Sequence, residues 1–217
     1  MSTKGNVIGV DIDLTVCPTD EMWFEWLISM TQSPAICEFD EVEYKCLTLP
    51  ELHSLHTSKG EKVNYNLTKY FPKPINSNVD PFDFFRREGI YDLASPYKGC
   101  IKTLKMLEMR GYEIVFISHN KGNHSKSKYN FLERWFGQVG GINFHSITTH
   151  SKEKFRANVD YIIEDRLLPL NICHQHGIKG ILKESNYTQG EDPLTEYLRF
   201  DSWEAFPINS FPLIEEN

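Results

Sequence analysis

The sequence predicts an α/β fold, a parallel sheet flanked by helices with a small, mainly helical cap inserted after the first strand. Three observations point there. Val7-Ile8-Gly9-Val10 is an apolar run that ends abruptly in Asp11 and Asp13. That is how a strand buried on both faces reads when polar residues stand just past its end. From Ser95 onward, strand-like runs alternate with amphipathic stretches, the order of βαβ units. Between them, Pro34, Pro50, Pro72, Pro74 and Pro81 break the periodicity. The expected division is a Rossmann-like core over 1–16 and 96–217, with a cap over 17–95.

The elements follow in order. Met22 to Ile28 reads as a helix, with Asp20 as its N-cap. Residues 31–80 show no clear period; His53 and His56 lie there among polar residues, with no third ligand spaced to complete a metal site. Phe82, Phe84, Phe85 and Tyr91 suggest a helix over 82–93 with one aromatic face. Ile101, Leu104, Leu107 and Met109 fit a helix ending near Gly111. Glu113 to Ser118 is a second buried strand. Ser125 opens a helix that carries Tyr129, Leu132, Trp135 and Phe136 on one side, closed by Gly137. Ile142 to Thr148, Tyr161 to Asp165 and Gly177 to Leu182 complete the strands, and Trp203 lies in a short terminal element.

Composition narrows the partners. The chain has 217 residues, 40% of them hydrophobic and 13% aromatic, enough for a packed core. Thirty acidic against 23 basic residues give a formal charge of -7, which disfavours long nucleic acid and anionic membranes. It does not exclude a small anion neutralised by a bound cation. Five cysteines without a C-x-x-C pair suggest reduced thiols and a cytoplasmic location. The polar start, Met1 to Asn6, lacks a signal-peptide apolar region, and no run reaches membrane-spanning length. A homodimer is compatible with all of this.

In a parallel sheet with right-handed crossovers, the ends of strands one, two and four point the same way. Ligands bind at that edge. Asp11, Asp13, Ser118, Glu164 and Asp165 then converge. A like-charged pair about 4 Å apart costs on the order of 4 kcal/mol at an effective dielectric near 20. A hard divalent cation removes that cost, and oxygen ligands suit Mg2+. The set fits phosphoryl transfer. Asp11 attacks phosphorus, and Asp13 protonates the leaving oxygen and later activates water. Mg2+ is held by Asp11, Asp165 and the main-chain carbonyl of Asp13, and Ser118 binds a phosphate oxygen. A lysine, Lys152 or Lys154, neutralises the transferring group.

Asp11-Ile12-Asp13-Leu14-Thr15, Ser118, a downstream Lys and Glu164-Asp165 together resemble the haloacid dehalogenase-like phosphatases. The second half is similar to one branch, the 5'(3')-deoxyribonucleotidases. The resemblance rests on Lys128-Tyr129-Asn130-Phe131 through Phe136-Gly137, Thr148-Thr149, Lys154, Glu164-Asp165-Arg166 and Ser202-Trp203, and covers roughly 6–16 and 82–205. It implies a Mg2+-dependent phosphatase, a nucleotidase acting on (deoxy)nucleoside monophosphates, with Asp11 as nucleophile and Asp13 as general acid/base. The family's spacing selects Lys154 over Lys152. Where the family has two Asp as metal ligands, this chain has Glu164 and Asp165. Where it often has Pro after the hydroxyl, this chain has His119 and Asn120, whose backbone and side-chain donors face phosphate. Aromatic residues of the family's cap hold the nucleoside, and Trp23, Phe24, Phe85 and Tyr91 stand where such residues are expected. A sugar phosphate, a modified nucleotide or a nucleic-acid end is the alternative substrate.

Overall fold

The computed structural model describes residues 6–71, 80–119 and 124–214. In chain order the elements are β1 (Val7–Val10), α1 (Thr19–Thr31), β2 (Ala35–Phe39), β3 (Val42–Cys46), α2 (Leu49–Ser58), α3 (Cys100–Met109), β4 (Glu113–Ser118), α4 (Ser125–Leu132), β5 (Phe144–Thr148), β6 (Tyr161–Glu164), α5 (Leu167–Gln175), β7 (Lys179–Lys183) and β8 (Leu198–Phe200). Short 3-10 turns lie between several of them, and α4 runs on into a wider π-helical turn, Glu133–Val139. The chain divides into two compact units. One takes in Met1–Pro18, Glu88–Ser185 and Glu191–Asn217; the other takes in Thr19–Arg87 and Asn186–Gly190. Residues 88–95, expected in the cap, thus stay with the sheet.

The first unit is built on a six-stranded sheet in the order β5-β4-β1-β6-β7-β8. Every neighbouring pair is parallel. Ile8, Val10, Ile114, Phe116, Ile162 and Ile163 are fully buried, which is why these strands read as unbroken apolar runs rather than as alternations. The chain moves one way from β1 through β4 to β5, then crosses to β6 and moves the other way. The order therefore reverses between β1 and β6, the place where such sheets bind ligands.

Gly9 lies in the middle of β1. A Cβ there would come within 2.7 Å of Ile117 Cδ1 and 3.2 Å of Val159 Cγ2. Both neighbours belong to the core, so neither gives way freely.

The second unit holds a strand hairpin as well as helices. β2 and β3 form an antiparallel hairpin whose turn places Asp40 and Glu41 both at positive φ. Helix α2 follows, with a capping box between Thr48 and Glu51 and a proline in its first turn. His56 is buried rather than solvated, with its ring edge-on to Phe39 and Tyr70. Trp23 packs against Phe82 and Phe85, Phe24 against Phe71. The expected helix over 82–93 is a single 3-10 turn, Asp83–Arg86. Arg86 is tied to both Asp80 and Asp83, and Gly89 at φ +76 turns the chain away from helix. The helix after Ser125 is not closed at Gly137 but passes through it and caps at Gly140, and Tyr129 faces outward, 51% exposed.

Two outcomes follow. Gly9→Ala should lower stability by about 1–3 kcal/mol through overpacking, read from urea unfolding. Burial, with His56 nearby, lowers the His53 pKa from 6.5 to about 4. The folded state then binds fewer protons than the unfolded one, so stability is lost as pH falls from about 6.5 towards 4. His53→Asn should flatten the decline in unfolding midpoint between pH 7 and pH 5.

Candidate active site

Asp11 follows β1 directly, and its N–H donates to Ile163 O at 2.9 Å, which continues the β1–β6 ladder by one residue. That bond brings the end of β1 level with Glu164 and Asp165 at the end of β6. One carboxylate oxygen from each of Asp11, Glu164 and Asp165 lies within 4.8 Å of the others, and all three residues are buried. Two oxygens on a single Mg2+ stand up to about 4.2 Å apart, twice the metal–oxygen distance. The three carboxylates therefore fit one such ion with little adjustment.

Lys154 comes from the 3-10 segment Ser151–Ala157. Its Nζ donates to Asp11 Oδ1 and to Glu164 Oε2, each at 2.5 Å, with the side chain 3% exposed. Three carboxylates against this one ammonium leave a formal charge of -2, which a divalent cation cancels. Protonation states carry the same signature. Burial first, then Glu164, raises the Asp11 pKa from 3.8 to about 7 although Lys154 pulls it down. Burial, Glu164 and Asp11 together raise that of Asp165 well above its ordinary value. For Lys154, burial disfavours the charge, but Asp11 and Glu164 outweigh it and hold the ammonium protonated. Carboxylates that are costly to ionise in the bare protein are what a metal site made of hard oxygen ligands looks like.

Asp13 is held differently. After Asp11 the chain turns tightly, with Val16 N and Cys17 N both donating to Ile12 O and Leu14 N to Cys17 O. Leu14 is forced to φ 61, a costly conformation for a residue with a Cβ. Trp203 braces the turn by donating from Nε1 to Thr15 O at 2.7 Å. Lys128 Nζ, from α4, donates to Asp13 Oδ2 at 2.8 Å and to Ser118 Oγ at 2.7 Å. Tyr91 Oη donates to Asp13 Oδ1 at 2.5 Å. Burial would raise the Asp13 pKa, but the Lys128 charge and the bonds from Lys128 and Tyr91 outweigh it and hold it below the usual range. Two carboxylates of one loop are thus driven in opposite directions, the pattern by which sites divide roles between like groups.

Solved structures share this fold. CbbY from Rhodobacter sphaeroides, in complex with xylulose-(1,5)-bisphosphate, superposes with TM-score 0.56 at 14% identity over 96% of this chain and 99% of its own. A HAD-superfamily hydrolase from Ehrlichia chaffeensis gives 0.54 at 14% identity, covering 97% and 98%. The putative HAD-hydrolase YfnB from Bacillus subtilis, bound to magnesium, gives 0.55 at 10% identity, covering 93% and 96%. The fold is that of the haloacid dehalogenase-like hydrolases. No protein-family model matches the chain, and no curated protein matches it in sequence. The structural likeness extends to the superfamily fold and does not single out the 5'(3')-deoxyribonucleotidases.

Within this fold the structure gathers Asp11, Asp13, Ser118, Lys154, Glu164 and Asp165 at one sheet edge. Of the two lysines weighed, Lys154 is buried among the acids and Lys152 is exposed. His119 stands at the same edge; its carbonyl accepts from Lys128 at 3.4 Å and its ring lies 4.8 Å from that of His150. Asn120 lies outside the described residues. Trp23, Phe24 and Phe85 belong to the second unit. Tyr91, grouped with them from sequence, belongs to the first and bonds Asp13. Lys128 carries no role in the sequence reading, yet its position held a signal. It shares the buried face of α4 with Ser127, Phe131 and Leu132, and a lysine on an apolar face needs a partner.

The acidic cluster should bind Mg2+ in a way stability can report. At a hundredfold excess over its dissociation constant, Mg2+ should stabilise the protein by about 2.7 kcal/mol, seen as a higher thermal midpoint that chelator reverses. Asp165→Asn should lose most of that shift while keeping a cooperative transition.

Proposed function

We propose that the protein is a Mg2+-dependent phosphomonoesterase acting on (deoxy)nucleoside monophosphates through an aspartyl-phosphate. The observation that carries this is Asp11, at the end of β1, within ion-pair distance of Lys154 and beside Glu164 and Asp165. The ordered motifs shared with haloacid dehalogenase-like phosphatases support it, as does the fold.

Asp11, Glu164 and Asp165 would hold the ion, with the Asp13 carbonyl as a further ligand. The ion supplies charge neutralisation between carboxylates and phosphate. The chain does the rest. Lys154, Lys128 and Ser118 present donors to the phosphate oxygens. Asp11 attacks phosphorus; the phosphorus–ester oxygen bond breaks, and Asp13 gives that oxygen its proton. Water then attacks the phosphorus, Asp13 takes the water's proton, and Asp11 is released with free phosphate. The nucleoside preference rests on the motif likeness in the second half of the chain. Trp23, Phe24 and Phe85 are proposed to serve the nucleoside, and His119 and Asn120 to donate to the phosphate. A sugar phosphate is the second reading, because CbbY is seen with xylulose-(1,5)-bisphosphate.

The test is a panel of nucleoside 5'- and 3'-monophosphates and sugar phosphates, assayed for released phosphate with and without Mg2+. Monophosphate hydrolysis that needs Mg2+ is expected. Asp11→Asn should abolish turnover with the thermal transition intact. Asp13→Asn should cost about 10²–10⁴-fold in kcat. Full turnover by Asp11→Asn would dismiss the assigned nucleophile.

A further inference from the structure

The geometry points to Tyr91 as the positioning residue of the Asp13 carboxylate: its hydroxyl, on a turn held by α4, fixes the orientation in which Asp13 serves the reacting oxygen. Sequence reasoning had placed Tyr91 among the aromatic residues that hold a substrate.

Four observations carry the assignment. First, the phenol is spent on Asp13. Tyr91 is 2% exposed, and its hydroxyl reaches Asp13 Oδ1 at 2.5 Å across 78 residues of sequence. A buried phenol seeks one strong acceptor, and this one is ionised, so the bond is of the charge-assisted kind. Second, the hydroxyl completes a clamp. Lys128 takes the other oxygen, Asp13 Oδ2. With Lys128 alone the carboxylate could pivot about that single bond; with a donor on each oxygen it cannot. Third, Tyr91 is itself fixed. Its N–H donates to Ser127 Oγ at 3.0 Å. Arg134 donates to the carbonyls of Tyr91, Asp92 and Ala94, and Trp135 Nε1 donates to Ala94 O at 2.8 Å. Three side chains of α4 and its π-helical extension thus bolt down the turn that carries the phenol. Fourth, one ammonium joins the two halves, since Lys128 Nζ sits 4.9 Å from the Tyr91 ring centre, within cation–π range.

The phenol keeps its proton. Burial, followed by the Asp13 charge, holds its pKa well above the ordinary value. With its hydroxyl committed to Asp13 Oδ1 and its ring buried, Tyr91 acts through that carboxylate. The π-helical turn that continues α4 widens the helix where Arg134 and Trp135 leave it, and such turns cluster at functional sites.

The kinetic arm of the test rests on the phosphomonoesterase reading; the structural arm does not. Tyr91→Phe keeps the ring, which packs beside Phe131 and His124, and removes only the donor. On the best substrate of the panel, kcat should fall about 10- to 100-fold with KM within about twofold. In crystal structures of wild type and variant, the Asp13 carboxylate should be rotated about its last torsion in the variant. Ser127→Ala, which loosens the Tyr91 backbone but keeps the hydroxyl, should lower kcat in the same direction by less. Unchanged kcat with an unmoved carboxylate would overturn the assignment. So would a tenfold rise in KM at constant kcat, which would put Tyr91 on the substrate. If wild type hydrolyses no phosphomonoester, the functional reading fails, and the position of Asp13 in the two structures still decides the role of Tyr91.

Discussion

The buried Lys154 ammonium governs the three acids at the edge of the sheet. Lys154 touches Asp11 and Glu164, whose neighbour Asp165 completes a set of three buried acids. Ionised carboxylates out of water are costly, and a buried ion pair offsets that cost only when its geometry is good and its remaining atoms are bonded. Here the geometry is set by the backbone. The β1–β6 register brings Asp11 level with the acids, and the 3-10 segment before β6 delivers the lysine from the side. Yet one ammonium cannot balance three carboxylates, and burial, with the acids' mutual repulsion added, raises the pKa values of Asp11 and Asp165. A bound divalent cation would cancel that deficit.

Asp13 shows why the sheet alone does not make the site. It lies two residues beyond Asp11, but its environment comes from elements far along the chain, α4 and the turn at Tyr91. The tight loop after Asp11 needs Leu14 in a left-handed conformation and the Trp203 indole against Thr15 O. Backbone strain of this sort, of order 1–3 kcal/mol, persists where surrounding structure overdetermines it. Trp203, near the far end of the described chain, supplies part of that determination.

What the sequence disclosed follows from these physical causes. Strands β1, β4 and β6 were legible because burial on both faces demands unbroken apolar runs, and the acids were legible because they end such runs. The hairpin β2–β3 was not. Its turn uses Asp40 and Glu41 at positive φ, where Asn-Gly would have announced it. Helix α2 had a signal, Thr48 with Glu51 three residues on, but Pro50 read as a breaker when it sits harmlessly in the first turn. Aromatic spacing over 82–93 suggested a helix, and Gly89 with the Arg86 ion pairs decided otherwise. The partners of Asp13 lie 78 and 115 residues away, a pairing no local pattern encodes.

The opposed environments of Asp11 and Asp13 bear on how one loop could serve two chemical steps. In the proposed reaction, Asp13 must carry a proton to the leaving oxygen and later accept one from water. Its resting environment favours the ionised form, which suits the second task. The first requires a proton that Lys128 and Tyr91 discourage. An arriving phosphate dianion changes that balance, because Lys128 also bonds Ser118, the residue assigned to phosphate. A dianion sharing the Lys128 ammonium weakens its hold on Asp13 and adds negative charge nearby, and both effects favour protonated Asp13. Having given its proton to the leaving oxygen, Asp13 is ionised again, the form that can take a proton from water. In the proposed reaction the acid is thus available when substrate is bound and the base when water must be activated, with the Tyr91 hydroxyl bonded to the same carboxylate.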